Sequence, residues 1–477
     1  AGEGLGFLTS ESGLGCTWSV NAQERRLTPW RNDAVSDPPS EAVYLRDEET
    51  ADVWTPTPLP MGPGSRVEAV HEPGATTWRC RSHGLEQRLR VHLAEGLPVK
   101  VAELELRNLR ARTRRVTVTY YAPWVLGGLR DREAPWIVPG YDTERRALTA
   151  RNPRDRSYAG RVAFLASDRP PHGLTADRTE FLGAGGDPAR PAALERIGLS
   201  GRVEAGRDPC AALQVHLDIP EGEARTVRFF LGEAADREGA ASVLDRLRDG
   251  DAAPGIAATR DAWDERLPGL EVATPDGALD RAVNRWLPYQ TLSSRLLGRT
   301  SLYQSGGAYG FRDQLQDVTA LLATRPGLAR EHLLHSARRQ FREGDVLHWW
   351  HPAGEDEPVR GVRTRCSDDL LWLPWTAAEY VRATGDLGVL DRRLPFLEGE
   401  ELAGDEAERY GEFREAGPPA SLWEHCLRAV ERAATEGPRG LPLIGAGDWN
   451  DGMNRVGAGG RGESVWLGWF LCAVLSA

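Results

Sequence analysis

The chain has 477 residues, 40% of them hydrophobic, and a formal net charge of -11. That length accommodates roughly two to four domains, and the apolar content excludes a disordered chain. The acidic balance argues against a nucleic-acid partner, which calls for a basic footprint.

In chain order, the first half reads as β-structure. Gly84–Leu93, Val99–Leu106, Arg115–Tyr121 and Thr226–Leu231 carry the β-branched, aromatic or alternating pattern of half-buried strands. Pro/Gly punctuation between them predicts an antiparallel sandwich over residues 1–235. The character changes near residue 235, where 236–274, with the helical run Ala241–Leu247, reads as a helical linker. From 275 to 477 helices dominate. A first helix over 278–297 is expected to be interrupted by Pro288, and further helices are predicted over 313–324, 328–342, 368–384, 387–396, 421–435 and 463–477. Ser367 is the expected cap of the third of these, with Asp368 and Asp369 complementing the helix dipole. Long Gly-, Trp- and His-rich loops between helices fit an α/α toroid better than a bundle with short connections. The fold class is therefore α+β multidomain.

Cys16, Cys80, Cys210, Cys366, Cys426 and Cys472 form no C-x-x-C pair and read as scattered thiols of a reducing compartment, not a disulfide framework. No run of about 18 or more apolar residues suggests a membrane-spanning helix. No signal peptide is expected ahead of Ala1. A start without Met and an end inside an apolar helical pattern predict that both ends are cuts from a longer polypeptide.

Three segments of the helical half carry chemistry. In Gly447-Asp448-Trp449-Asn450-Asp451-Gly452-Met453-Asn454, two carboxylates flank a Trp-Asn pair. Flat aromatics cover sugar C–H faces, amides and carboxylates bind hydroxyls, and one carboxylic acid can protonate a glycosidic oxygen; a turn with a core Trp is the plainer alternative. In Tyr309-Gly310-Phe311-Arg312-Asp313-Gln314-Leu315-Gln316-Asp317, Asp313 and Asp317 share one helix face. Arg312 is suited to an anion; acids placed for the helix dipole are the alternative. The third segment joins His348-Trp349-Trp350-His351-Pro352 to Arg363-Thr364-Arg365-Cys366-Ser367-Asp368-Asp369. Its Trp pair could form a sugar platform or simply pack. Arg363 and Arg365 are candidate anion or hydroxyl binders, or surface partners of Glu355 and Asp356. His348 and His351 lack a third ligand at useful spacing, so no metal is expected. Neither a P-loop nor a dinucleotide fingerprint is present.

At these residues the sequence resembles glycoside hydrolase family 94, and within it the phosphorylase-like region of cyclic β-1,2-glucan synthases. Further segments carry the resemblance: Leu27-Thr28-Pro29-Trp30, Asn32-Asp33, Ser36-Asp37-Pro38-Pro39, Tyr44-Leu45-Arg46-Asp47, Asp177 to Gly183, and Gly460 to Leu467. The resemblance implies an N-terminal β-sandwich, a helical linker and an (α/α)₆ barrel that this chain leaves incomplete. It implies inverting phosphorolysis of a β-1,2-glucan, releasing α-glucose 1-phosphate and setting chain length before ring closure. No cofactor is implied beyond inorganic phosphate as co-substrate. Asp451 matches the general acid, and Trp449, Asn450, Arg312, Asp313 and Asp317 match sugar contacts. Arg312 is also placed near phosphate, with Arg365 and Asp368 as further candidates. The remaining barrel and further phosphate ligands, including a His, are expected past Ala477. Implied partners are the glucan, phosphate and the other domains of a larger membrane-bound synthase at the cytoplasmic face of the inner membrane. An inverting hydrolase and a non-catalytic glucan-binding module remain the alternatives; oligomeric state and linkage specificity stay open.

Overall fold

The computed structural model describes residues 4–94, 96–248, 256–267, 269–352, 358–404 and 406–477. The chain packs as two compact units, the first formed by residues 1–267 and 292–307, the second by 268–291 and 308–477.

The first unit is an antiparallel β-sandwich. One sheet has eight strands in the order Val138–Asp142, Ala147–Arg151, Val162–Ser167, Ala224–Ala234, Val99–Asn108, Leu85–Leu93, Ala75–Ser82, Val67–Glu72. The other has five: Gly173–Asp177, Pro209–Ile219, Arg114–Pro123, Ala42–Asp47, Val53–Trp54. The four predicted strands all form, because their inward residues alternate as a half-buried strand requires. Leu85, Leu89 and Val91 of one sheet meet Val116, Val118 and Tyr120 of the other in a single core. Ser82 pairs with Leu85 across a two-residue turn in which His83 and Gly84 have φ of 53° and 74°. This is the left-handed geometry a tight hairpin demands. The helix Arg237–Arg248 packs Ala240, Leu244 and Leu247 against Phe164 and Phe230 of the eight-stranded sheet.

Charges are also buried in this unit. Glu41 accepts hydrogen bonds from Thr17 (2.6 Å), Thr28 (2.8 Å), Lys100 and Tyr120. Burial pushes the Lys100 amine down, and Glu41 opposes that. Arg25 donates twice to one oxygen of Glu233, at 2.9 and 2.6 Å, and Arg161 donates to the other at 2.7 Å. Arg25 and Glu233 are fully shielded from water.

The second unit departs from an all-helical expectation. The helices Phe311–Thr319, Pro326–Ala337, Trp372–Thr384, Leu422–Ala433 and Val465–Ser476 form as predicted, within a few residues at their ends. Residues 387–396 do not make one helix: a 3₁₀ turn at Leu387–Asp391 gives way to the strand Arg393–Glu398. That strand belongs to a five-stranded antiparallel sheet ordered Tyr309–Gly310, Leu347–His351, Val359–Thr364, Glu408–Ser421, Arg393–Glu398. Much of it lacks apolar alternation; Glu408–Ser421 buries only Phe413, so its residues read as loop. Pro288 does not stop its helix either. π-helical turns at Ala282–Trp286 and Thr291–Gly298 flank it and absorb the lost N–H donor. All six cysteines are free, and only Cys472 is exposed.

Removing one partner of a buried ion pair strands the other charge. Arg25→Ala is therefore expected to destabilise the protein by about 3–5 kcal/mol in chemical denaturation. Arg79→Ala, at an exposed pair with Glu68, should change it by less than about 1 kcal/mol.

Candidate active site

The second unit assembles its site from three loops. The first is the start of the helix Phe311–Thr319, which carries Arg312. The second is Cys366 to Asp369, following the strand Val359–Thr364. The third is Gly445 to Asp451. The last two are zipped together: Ala446 N–H donates to the Arg365 carbonyl at 3.0 Å, and Ser367 N–H to the Gly447 carbonyl at 2.8 Å. The Ser367 hydroxyl also donates to Gly447, at 3.0 Å. Its expected role as a helix cap is thus not realised; Asp368 is the residue before the 3₁₀ turn Asp369–Leu371, and it makes no side-chain cap. Gly445 sits at φ 60°, where an added Cβ would collide with the Arg365 carbonyl. Only glycine permits this close approach.

Arg312 is buried at the junction. Its Nη2 donates to both oxygens of Asp451 at 2.9 Å. Its Nη1 is 3.4 Å from both oxygens of Asp368 and from the Asp448 carbonyl. Burial works against the guanidinium's charge, and Asp368 and Asp451 outweigh it, so its pKa is raised. Asp368 is further held by Trp372 Nε1 at 3.0 Å and by the Cys366 thiol at 3.4 Å. Burial pushes the Asp368 carboxyl up, with Arg312 opposing.

A second pair adjoins this one. His348 Nδ1 lies 2.6 Å from an oxygen of Asp369. Burial lowers the imidazole pKa, but Asp369 more than reverses that and sets it at about 9. Burial raises the Asp369 carboxyl, with His348 opposing. The cluster therefore sets two cations, Arg312 and His348, against the carboxylates of Asp368, Asp369 and Asp451.

The predicted residues divide clearly. Arg312, Asp368 and Asp451 come together. Trp449 and Asn450 flank Asp451 on the same loop; the Trp449 side is open to solvent, with the residue 53% exposed. Asn450 caps the turn Asp451–Met453 by accepting from Gly452 N–H at 3.2 Å. Asp313 is exposed and Asp317 half-buried, one turn apart on their helix. Arg365 is not brought into the cluster: its guanidinium donates to the carbonyls of Leu402 and Ala403 at 2.9 and 2.7 Å. Arg363 is buried in the fold, bonded to Asp345 and Glu343. Its suggested partners Glu355 and Asp356 lie outside the described residues. Asp448 ties its loop to the last helix by accepting from the Ser464 hydroxyl at 2.6 Å. Trp350 is packed between Tyr309 and Phe311, which removes it as a platform.

Nothing in the sequence pairs His348 with Asp369 directly. The only available signal was the doubled acid at 368 and 369, since the histidine stands 21 positions away. Ligand atoms of His348, Cys366 and Asp369 all lie within 4.8 Å of one another. These groups are taken up by separate hydrogen bonds, His348 with Asp369 and the Cys366 thiol with Asp368.

A family model for the glycosyl hydrolase 94 supersandwich domain matches residues 1–250, and one for the glycosyl hydrolase 94 superfamily catalytic domain matches residues 262–477. The chain belongs to the glycosyl hydrolase 94 superfamily. It is 41% identical over its whole length to the cyclic beta-(1,2)-glucan synthase NdvB of Rhizobium meliloti (strain 1021), of which it covers 17%. It is 28% identical to a solabiose phosphorylase of Paenibacillus borealis, with 89% of this chain and 52% of that protein aligned. The chain thus spans between a sixth and about half of these curated relatives' length. A bacterial glucoamylase complexed with acarbose shares the fold, with TM-score 0.52 and 9% identity over 80% of this chain and 54% of that one. In the terms of the family, this is a glycoside phosphorylase-type catalytic region preceded by its sandwich domain. Among the described residues no helix is long and apolar enough to cross a membrane.

With its folded pKa above the ordinary value near 6.5, His348 contributes stability that is complete below that value and lost as pH rises through about 9. Asp369→Asn should bring the imidazole pKa below 9, read by NMR titration of the ring protons. The same change should flatten the loss of stability on the alkaline side.

Proposed function

We propose that the second unit catalyses inverting phosphorolysis of a β-1,2-glucan, releasing α-glucose 1-phosphate and limiting chain length during cyclic glucan synthesis. The observation that carries this reading is the Arg312–Asp451 pair. It places an acid on an open, Trp-bearing loop and aims it with a buried cation. The names of the relatives, one cyclic β-1,2-glucan synthase and several phosphorylases, support the linkage and the co-substrate.

In this mechanism Asp451 donates its proton to the glycosidic oxygen as the bond to the anomeric carbon breaks. Inorganic phosphate forms the new C–O bond from the opposite face, which converts a β-linkage into an α-phosphate. One carboxylic acid suffices, because phosphate needs no base to activate it; a hydrolase would need a second carboxylate for water. Both Asp451 oxygens accept from Arg312, so Asp451 must first leave that pair and take up a proton from solvent before it can pass that proton to the glycosidic oxygen. Trp449 would cover the apolar face of the sugar, and Asn450, Asp313 and Asp317 would meet its hydroxyls. Arg312 would stand on the acid's side of the sugar, where its part is to orient Asp451. The surrounding synthase, its membrane attachment at the cytoplasmic face and its other domains belong to the same reading, suggested by the NdvB relative.

Incubating the protein with linear β-1,2-glucan, with and without inorganic phosphate, tests the reaction type. Phosphate-dependent release of α-glucose 1-phosphate is expected. Reducing sugar appearing equally without phosphate would make the domain a hydrolase. Asp451→Asn should lower kcat by about 10²–10⁴-fold while glucan binding, read by calorimetry, persists. Unchanged turnover would remove Asp451 from the mechanism.

A further inference from the structure

The first unit contains a cavity of about 520 Å³ that the Arg312–Asp451 chemistry does not use. It draws on four of the sequence segments singled out above, those around Pro29-Trp30, Pro39, Tyr44 and Arg178. Its walls are stiff: Pro29, Pro39, Pro123 and Pro188 line it together with the Trp30 and Tyr44 rings. Tyr44 is fixed by donating to the Pro188 carbonyl at 2.8 Å.

The charge on this lining is one-sided. Five arginines, at 26, 31, 130, 132 and 178, face Glu41 and Asp131. Glu41 is already committed to Thr17, Thr28, Lys100 and Tyr120. Arg130 and Arg178 share one carboxylate, Asp208. Arg26 donates to the carbonyl oxygens of Ala22, Gly128 and Ser305 and lies 5.2 Å from the centre of the Trp30 ring. Arg31 and Arg132 are exposed.

A polar group is held ready inside. The Arg130 Nε is buried without a hydrogen-bond partner. Tyr121 is 4% exposed, and its hydroxyl lies beside the Arg178 guanidinium. A buried donor or acceptor left unpaired costs about 1–3 kcal/mol, and a ligand would remove that cost. Volume, a flat aromatic wall and convergent polar groups are the marks of a small-molecule site, and guanidinium clusters select oxyanions.

We propose that this cavity is a second, non-catalytic site that binds an anionic saccharide of the hexose phosphate class. The phosphate lies among Arg130, Arg132 and Arg178, and the sugar lies over Trp30 with a hydroxyl on Tyr121. This assignment does not depend on the reaction proposed above.

Glucose 1-phosphate is the probe, titrated into the 477-residue chain by calorimetry and mapped by hydrogen exchange. Saturable binding is expected, with protection of residues 26–44 and 121–132. Arg31→Glu combined with Arg132→Glu, both at exposed positions that tolerate change, should weaken that binding by about tenfold or more and abolish protection of those segments. Any protection of residues 447–454 should survive, since it reports the other site. Tyr121→Phe should weaken binding by a few-fold without altering the fold. Absence of protection at 26–44 and 121–132 would overturn the proposal, as would a double variant within twofold of the parent. Inorganic phosphate binding as tightly as glucose 1-phosphate would overturn the saccharide assignment, and glucose binding equally would overturn the anionic one.

Discussion

A guanidinium buried away from water is tolerable only where carboxylates and carbonyls surround it, and Arg312 is such a group. Its planar fork lets one nitrogen grip Asp451 while the other faces Asp368 and the Asp448 carbonyl. Three loops that are remote in sequence are thereby fixed relative to one another. A lysine could not replace it, since a single ammonium cannot set one nitrogen on Asp451 and a second on Asp368. The glycine at 445 and the Ser367–Gly447 hydrogen bonds then determine how closely two of those loops approach. The orientation of Asp451 is therefore a property of the loop junction, not of its own exposed side chain.

The sandwich solves a related problem inside its core. Glu41 gathers two threonines, a tyrosine and a lysine, and Glu233 gathers two arginines. Such networks are costly if any member is lost and specific if all are present. They constrain the pairing of strands that hydrophobic alternation alone would leave free to slip.

The sandwich strands were legible because alternation is a local signal: Arg115–Tyr121 states its own inward face. The small sheet of the second unit was not. Glu408–Ser421 carries Arg, Glu, Gly and two prolines, and its strand character comes from pairing with Val359–Thr364 on one side and Arg393–Glu398 on the other. At the site, the Asp-Trp-Asn-Asp run and Arg312 could be read from residue chemistry. Which partner each would take could not. Arg365 and Arg363 look equivalent in sequence, two apart on an arginine-rich stretch, yet neither joins Arg312, because nearby carbonyls hold the first and Asp345 and Glu343 the second. His348 and Asp369 meet only because the strand Leu347–His351 runs beside the one that leads into Cys366.

The scarcity of lysine has a practical side. Lys100 is the chain's sole lysine, and it is 1% exposed, locked onto Glu41 in the sandwich core. Reagents that seek side-chain amines, whether acylating dyes, cross-linkers or carrier resins, find no accessible ε-amino group on the folded molecule. Reaction at that position would instead report that the core has opened. That single buried amine is thus a reporter of unfolding, supplied by the sequence itself.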